Sequence, residues 1–106
     1  MSKIAGRWKI VAMDEWDQDY VGLVEPGYFK FDSDNLGEFV FGTVHGTIDV
    51  RISSTKPFLE YSWEGSSEGD PCSGRGWFEF STPTQGTGMI YIHCGDDSGI
   101  SIEKET

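Results

Sequence analysis

The segment from Ser62 to Trp77 carries most of the candidate chemistry of this chain. It reads Ser-Trp-Glu-Gly-Ser-Ser-Glu-Gly-Asp-Pro-Cys-Ser-Gly-Arg-Gly-Trp, so that two tryptophans enclose a stretch rich in Gly and Ser. Its charged residues are Glu64, Glu68, Asp70 and Arg75. Strand-like runs lie on both sides. The segment is longer than a minimal hairpin turn, and this length predicts a loop that holds either a binding site or a structural clasp.

The charged residues of this segment are compatible with three roles. A pair of carboxylates performs acid–base or glycosidic chemistry when one of them is desolvated and its pKa is raised. Arg75 has the planar fork of donors that holds a carboxylate or a phosphate in two parallel hydrogen bonds. The structural alternative is an ion pair between Arg75 and one of the acids that fixes the loop. We favour the ion pair as an interpretation, because loop carboxylates are usually solvated.

Three further residues are candidates for ligand contact because of their strand phase. Tyr91 and His93 alternate with isoleucines, and Trp77 shares its face with Arg75, opposite two phenylalanines. An exposed Trp beside charged groups is a common binding anchor, although such a Trp also packs over the end of a barrel. The predicted ligand-binding residues are therefore Arg75, Trp77, Glu64, Glu68, Asp70, Tyr91 and His93. No catalytic residue is assigned.

The spacing of the candidate ligand residues matches no metal or cofactor motif. The ligand types that zinc accepts are present in His45, His93, Cys72 and Cys94, but their spacing fits no zinc signature. The sequence Asp32-Ser33-Asp34-Asn35-Leu36-Gly37 resembles the opening of a calcium loop, yet Leu36 stands where an Asp or Asn is needed. We interpret it as a hairpin turn. We expect no metal and no cofactor, and both cysteines as free thiols.

The composition narrows the possible partners. The chain has 106 residues with 18 acidic and 8 basic side chains, a formal charge of −10. A single domain over residues 1–106 is expected at this length. Phosphate repulsion argues against nucleic acid, and the same repulsion argues against anionic membranes. The acidic surface either serves solubility or engages a basic partner. We see no signal peptide or run of membrane-span length, so we expect a cytoplasmic location.

Alternation of apolar and polar residues predicts an all-β fold. In the clearest example, Ile48, Val50 and Ile52 face one way and their neighbours the other. The predicted strands are Gly6–Ala12, Tyr28–Asp32, Glu38–Val44, Thr47–Ser53, Phe58–Glu64, Gly76–Ser81, Gly88–Cys94 and Ile100–Lys104. Turn residues separate them at 32–37, His45–Gly46, 83–86 and 95–99. Short links favour one antiparallel meander closed as a small barrel. The alternative is a two-sheet β-sandwich.

One segment departs from the strand pattern. Between Met13 and Glu25, the residues Trp16, Tyr20 and Leu23 follow helical spacing. Asp14 is the predicted cap and Pro26 the stop signal. We therefore expect a short helix or an irregular lid after the first strand.

Two resemblances follow from short motifs. Gly6-Arg7-Trp8 resembles the Gly-x-Trp signature of lipocalins and related calycins, which implies that Trp8 plugs one barrel end and that Lys104 packs over it. The chain also resembles a group of small uncharacterised bacterial proteins through three phrases, at residues 62–65, 73–77 and 93–98. That second resemblance implies a bacterial origin and no particular activity.

Together these features predict a small, acidic, non-catalytic binding module that takes a small ligand or a protein partner. A small barrel encloses at most one small ligand, and Trp77, Arg75, Glu64, Tyr91 and His93 are expected to line or rim such a pocket. One alternative is an acidic interaction or inhibitor module that engages a basic partner. Another is a small hydrolase that uses the loop carboxylates.

Overall fold

The computed structural model describes residues 4–105, and its eight strands form a closed antiparallel barrel with one short helix. The elements are β1 (Gly6–Met13), α1 (Gln18–Val21), β2 (Tyr28–Phe31), β3 (Leu36–Phe41), β4 (Val44–Ile52), β5 (Phe58–Ser67), β6 (Asp70–Thr82), β7 (Gln85–Ile92) and β8 (Asp97–Lys104). Each strand pairs with the next, and β8 pairs with β1. This closure confirms the predicted meander barrel with a helix after the first strand, and it excludes the two-sheet sandwich.

Aromatic side chains fill the barrel. The inward positions of the strands hold a continuous hydrophobic cluster, as the alternation predicts. Phe29 of β2 reaches across the interior, where its ring centroid lies 4.9 Å from that of Phe78 on β6 and 5.6 Å from that of Tyr61 on β5. All three side chains are at most 2% exposed. Rings from opposite walls therefore meet at the centre, and the space that a small ligand would occupy is taken.

Trp8 lies at one end of the barrel in the position that the Gly-x-Trp resemblance implies. It is 1% exposed, its indole Nε1 donates to the carbonyl oxygen of Ile4 at 2.8 Å, and its ring packs on Phe80. The ammonium of Lys104 lies 5.8 Å from the Trp8 ring centroid, so the predicted basic residue does cover the plug.

The lid at the other end is shorter than the sequence suggests. Helix α1 has four residues, and its N-cap is Asp17, whose carboxylate accepts from the backbone N–H of Tyr20. The predicted cap at Asp14 is therefore wrong. Trp16 packs on Phe41 of the core, whereas Leu23 is 62% exposed. Of the three residues at helical spacing only Tyr20 lies within α1, because the helix begins after Asp17 and ends at Gly22.

The long loop predicted between the strands Phe58–Glu64 and Gly76–Ser81 is wrong. Strand β5 continues to Ser67, β6 begins at Asp70, and the two-residue turn is Glu68–Gly69, with φ values of 52° and 85°. The whole segment is one long hairpin in continuous register. The inward positions near the turn of this hairpin hold small residues in place of large apolar ones. The sequence therefore does not show the alternation of apolar and polar residues that marks a strand.

Other strand ends also differ from the prediction. The turn before β4 is at residues 42–43, so His45 and Gly46 lie inside the strand, whereas the sequence suggested a tight link there. The turn at 32–35 is confirmed, with the Asp34 carboxylate accepting from the backbone N–H of Leu36 at 3.3 Å. His93 lies in the turn after β7, and β8 begins at Asp97.

Candidate functional site

Four of the predicted site residues lie together on the outer wall of the barrel: Arg75, Trp77, Tyr91 and His93. One row of register partners crosses β5, β6, β7 and β8 there, and it consists of Ser62, Arg75, Tyr91 and Asp97. Trp77 lies two positions further along β6 and His93 two positions beyond Tyr91. The strand residues of this group point away from the filled interior because they alternate with the buried residues of their strands. His93, in the turn after β7, is exposed. These side chains therefore do not line an interior pocket, contrary to the sequence-based expectation.

Trp77 is held in a fixed orientation on this wall. Its indole Nε1 donates to the hydroxyl oxygen of Tyr91 at 3.3 Å. Its ring stacks on Phe58 with centroids 5.9 Å apart and an interplanar angle of 26°. Trp77 is half-buried by these contacts. The three rings form a strip across β5, β6 and β7, which we call the outer aromatic strip (Phe58, Trp77, Tyr91).

Arg75 rests on the outer aromatic strip. Its guanidinium carbon lies 4.6 Å from the centroid of the Tyr91 ring, while the side chain remains exposed. Within residues 4–105, no carboxylate comes within 4.0 Å of its nitrogens; the ion pairs found there involve Arg7, Lys30 and Arg51. The predicted clasp between Arg75 and a nearby acid is therefore absent from the described part of the chain.

A shallow recess opens beside Arg75. It is lined by Arg75, Tyr91, His93, Ser62, Ser73 and Asp97, together with the chain at Gly74 and Ile92. The backbone N–H of His93 donates to the carbonyl oxygen of Ser73 at 2.7 Å, which ties the turn after β7 to β6. We call this feature the Arg75 recess. Its lining combines one guanidinium, three hydroxyls and an imidazole with a single carboxylate.

The three acids of the hairpin lie elsewhere. Glu64 points outward from β5, Glu68 occupies the turn, and Asp70 begins β6 opposite Ser67. All three are exposed. Glu64 and Glu68 line a second, larger groove on the β3–β6 side of the wall. The predicted ligand-binding set is thus divided between two neighbouring surfaces, and Asp70 lines neither of them.

The cysteine and histidine side chains do not form a cluster. Cys72 is partly buried against the core, where burial raises the pKa of its thiol. Cys94 is exposed and has a φ of 60°, and both thiols are free. His45 shares a hydrogen bond of 3.2 Å with the hydroxyl of Ser66. Among residues 4–105, no three side chains of His, Cys, Asp or Glu are grouped so that they could hold a metal ion.

Four site residues were not selected by the sequence analysis as ligand contacts: Phe58, Ser62, Ser73 and Asp97. Phe58 precedes the inward Leu59, so its outward phase was available as a signal. Asp97 was placed in a turn, and only the register of β8 against β7 brings it beside Tyr91.

Comparison of the chain with protein-family models, curated proteins and solved structures finds no match. In the part of the chain that the structure describes, no helix has the length and apolar character required to cross a membrane.

Proposed function

We propose that this protein is a non-catalytic binding module whose Arg75 recess receives the carboxylate of a small ligand. The proposal rests on the contacts of the Arg75 guanidinium, which is held over the Tyr91 ring and has no carboxylate partner among the described residues. Stacking uses the face of the guanidinium, whereas its N–H groups lie in the plane of the group. The donor edge therefore remains available for two parallel hydrogen bonds to an anion.

The surroundings of Arg75 favour a carboxylate attached to a flat apolar body. The Ser62 and Ser73 hydroxyls offer additional hydrogen bonds to the anion. The outer aromatic strip provides a rigid platform for the body of the ligand, and its orientation is already fixed before binding. The carboxylate of Asp97 lines the same recess and repels negative charge on a ligand. A carboxylate, with one negative charge, is therefore favoured over a phosphate dianion.

The filled interior supports an outer-wall site over an enclosed one, since rings from opposite walls already meet at the barrel centre. The exposure of Glu64, Glu68 and Asp70 supports binding over hydrolysis. A carboxyl that acts as a general acid at neutral pH needs desolvation to raise its pKa, and these three side chains face solvent.

Titration of isotope-labelled protein with benzoate, monitored by NMR, tests the proposal. We expect saturable shifts of the Arg75 Nε and Trp77 Nε1 signals, and no comparable shifts with benzamide, which has the same ring without the charge. Arg75→Gln should weaken benzoate binding by about tenfold or more, because hydrogen bonds to charged groups are worth roughly 1.5–3 kcal/mol.

Arg51→Gln is the matched control, since Arg51 is a strand arginine with an 82% exposed side chain that lies outside the recess. Equal responses to benzoate and benzamide would contradict the proposal, and so would equal losses in the two arginine variants. Tighter binding of phenyl phosphate than of benzoate would contradict the preference for a carboxylate.

A further inference from the structure

The larger recess on the outer wall is a groove that crosses β3, β4, β5 and the start of β6. Neighbouring strands are about 4.8 Å apart, so a path across four strands is about 14 Å long, the length of roughly four extended residues. We call this feature the β3–β6 groove.

Four acidic side chains line the β3–β6 groove. Glu38 and Glu64 belong to one row of register partners that crosses β3, β4 and β5, with Thr47 between them. Glu25 and Glu68 also line the groove.

None of the described residues that line the groove is a Lys or Arg, and its one imidazole, His45, is hydrogen-bonded to Ser66. Lys30, the register partner of Glu38 on β2, lies outside the lining and pairs with Asp32 at 3.9 Å. The carboxylates that line the groove are therefore not paired with a Lys or Arg within it.

The floor and one wall of the groove are apolar. Gly46 and Gly65 pair across β4 and β5 at the floor, where the backbones pass so closely that a Cβ on Gly65 would overlap the carbonyl oxygen of His45. Val40 and Pro71 lie beside them, and Val24 is 67% exposed at the wall. Exposed apolar surface bordered by charges is typical of a protein-interaction site.

We propose that the β3–β6 groove binds an extended, basic segment of a partner protein, in which Lys or Arg side chains alternate with apolar ones. The apolar side chains lie on the floor and against Val24, while the cations meet the carboxylates that line the groove. Charges spread over this length suit several cations along a peptide better than one ion, in keeping with the lack of a metal-ligand group among residues 4–105.

The overall charge of the protein supports this choice of partner. A formal charge of −10 attracts cationic partners over long range and accelerates their encounter. This inference goes beyond the proposed carboxylate site, which lies on a different part of the wall and takes a ligand of the opposite charge.

Fluorescence polarisation with a labelled peptide of alternating Lys and Leu tests the inference. We expect saturable binding that weakens as salt is added, and no binding of the matched Glu–Leu peptide. The double variant Glu64→Gln, Glu68→Gln should bind the Lys–Leu peptide up to roughly tenfold more weakly, since exposed ion pairs contribute about 0.2–1 kcal/mol each.

The matched control is Glu60→Gln, Glu79→Gln, which removes the same charge from exposed positions of β5 and β6 outside the groove. It should change the affinity by less than about twofold, as expected for charges that make no direct contact. Equal losses in the two double variants would overturn the proposal in favour of non-specific attraction. Binding of spermine as tightly as the peptide would overturn the peptide assignment, and so would the absence of any Lys–Leu binding. Saturable benzoate shifts of Arg75 should persist in the Glu64/Glu68 variant, because neither acid lines the Arg75 recess. The affinity for benzoate should stay the same or rise, since Glu64 lies opposite Ser73 and its charge repels an anion. The two proposals therefore fail separately.

Discussion

Tyr28 gives the most quantitative prediction, because its surroundings oppose ionisation. It is 7% exposed on β2, and its hydroxyl donates to Glu38 Oε2 at 2.6 Å. Burial is the main cause that raises the pKa of Tyr28 from 10.0 to about 12, followed by the hydrogen bond to Glu38 and the charges of Glu38 and Glu25. The guanidinium of Arg7, 3.8 Å above the ring, acts in the opposite direction.

This pKa makes the free energy of unfolding depend on alkaline pH. Between the two pKa values the unfolded chain loses the Tyr28 proton while the folded protein keeps it, so the folded state binds more protons and stability falls as pH rises. The contribution is fully present below pH 10 and is lost above about pH 12. Two pKa units at 1.36 kcal/mol each give a loss of about 3 kcal/mol.

Urea unfolding of the wild type and Tyr28→Phe across this pH range measures the effect. At neutral pH the variant should be less stable by roughly 1.5–3 kcal/mol, because it lacks a hydrogen bond to a charged group. The difference between the two proteins should then shrink by about 2 kcal/mol as pH passes from 10 to 12, and the rest of the change falls just below and above this range. Other groups titrate in both proteins and cancel. Two stability curves that stay parallel through this range would refute the reasoning.

Core and turn variants give further tests by urea unfolding. Phe29→Ala should lower the free energy of unfolding by about 3–5 kcal/mol, since the ring is fully buried among four aromatic rings. Leu23→Ala, at a 62% exposed position, should change it by no more than about 0.5 kcal/mol. Similar losses in the two variants would contradict the ring-filled core. Gly69→Ala should cost about 1 kcal/mol, because Gly69 has a φ of 85° but an added Cβ meets nothing within 4 Å. Gly65→Ala should cost more, because its Cβ would overlap the carbonyl oxygen of His45. A ranking with Gly69→Ala as the costlier glycine variant would show that backbone conformation outweighs steric overlap.

Sequence reasoning was most successful where one face of a strand carries large apolar side chains. In β4 the alternation of Ile48, Val50 and Ile52 with polar residues predicted which side faces the core, and all three lie inward. The position of Trp8 under Lys104 followed from the Gly-x-Trp resemblance. Burial of large side chains is the main driving force of folding, so this pattern is written directly in the residue types.

The same reasoning failed in the hairpin of β5 and β6. Glycines such as Gly65 and Gly74 occupy inward positions there, because the backbones and the Trp63 ring leave no space for a Cβ. Glycine adds no hydrophobic signal, and the segment was therefore interpreted as a loop. The presence of Arg75 in one segment with Glu64, Glu68 and Asp70 likewise suggested an ion pair. The Arg75 guanidinium instead lies over the Tyr91 ring on the next strand.

By itself, the sequence determined the all-β class, the eight-strand meander, the aromatic core and the outward phase of Arg75, Trp77 and Tyr91. These depend on local alternation and on short turns, which involve residues close together in the chain. Only the tertiary structure decided which outward side chains are neighbours. Strand register brings Ser62, Arg75, Tyr91 and Asp97 into one row and sends the hairpin acids to a separate groove. Register is set by pairing between distant segments and by closure of the barrel, and no single segment of the sequence contains that information.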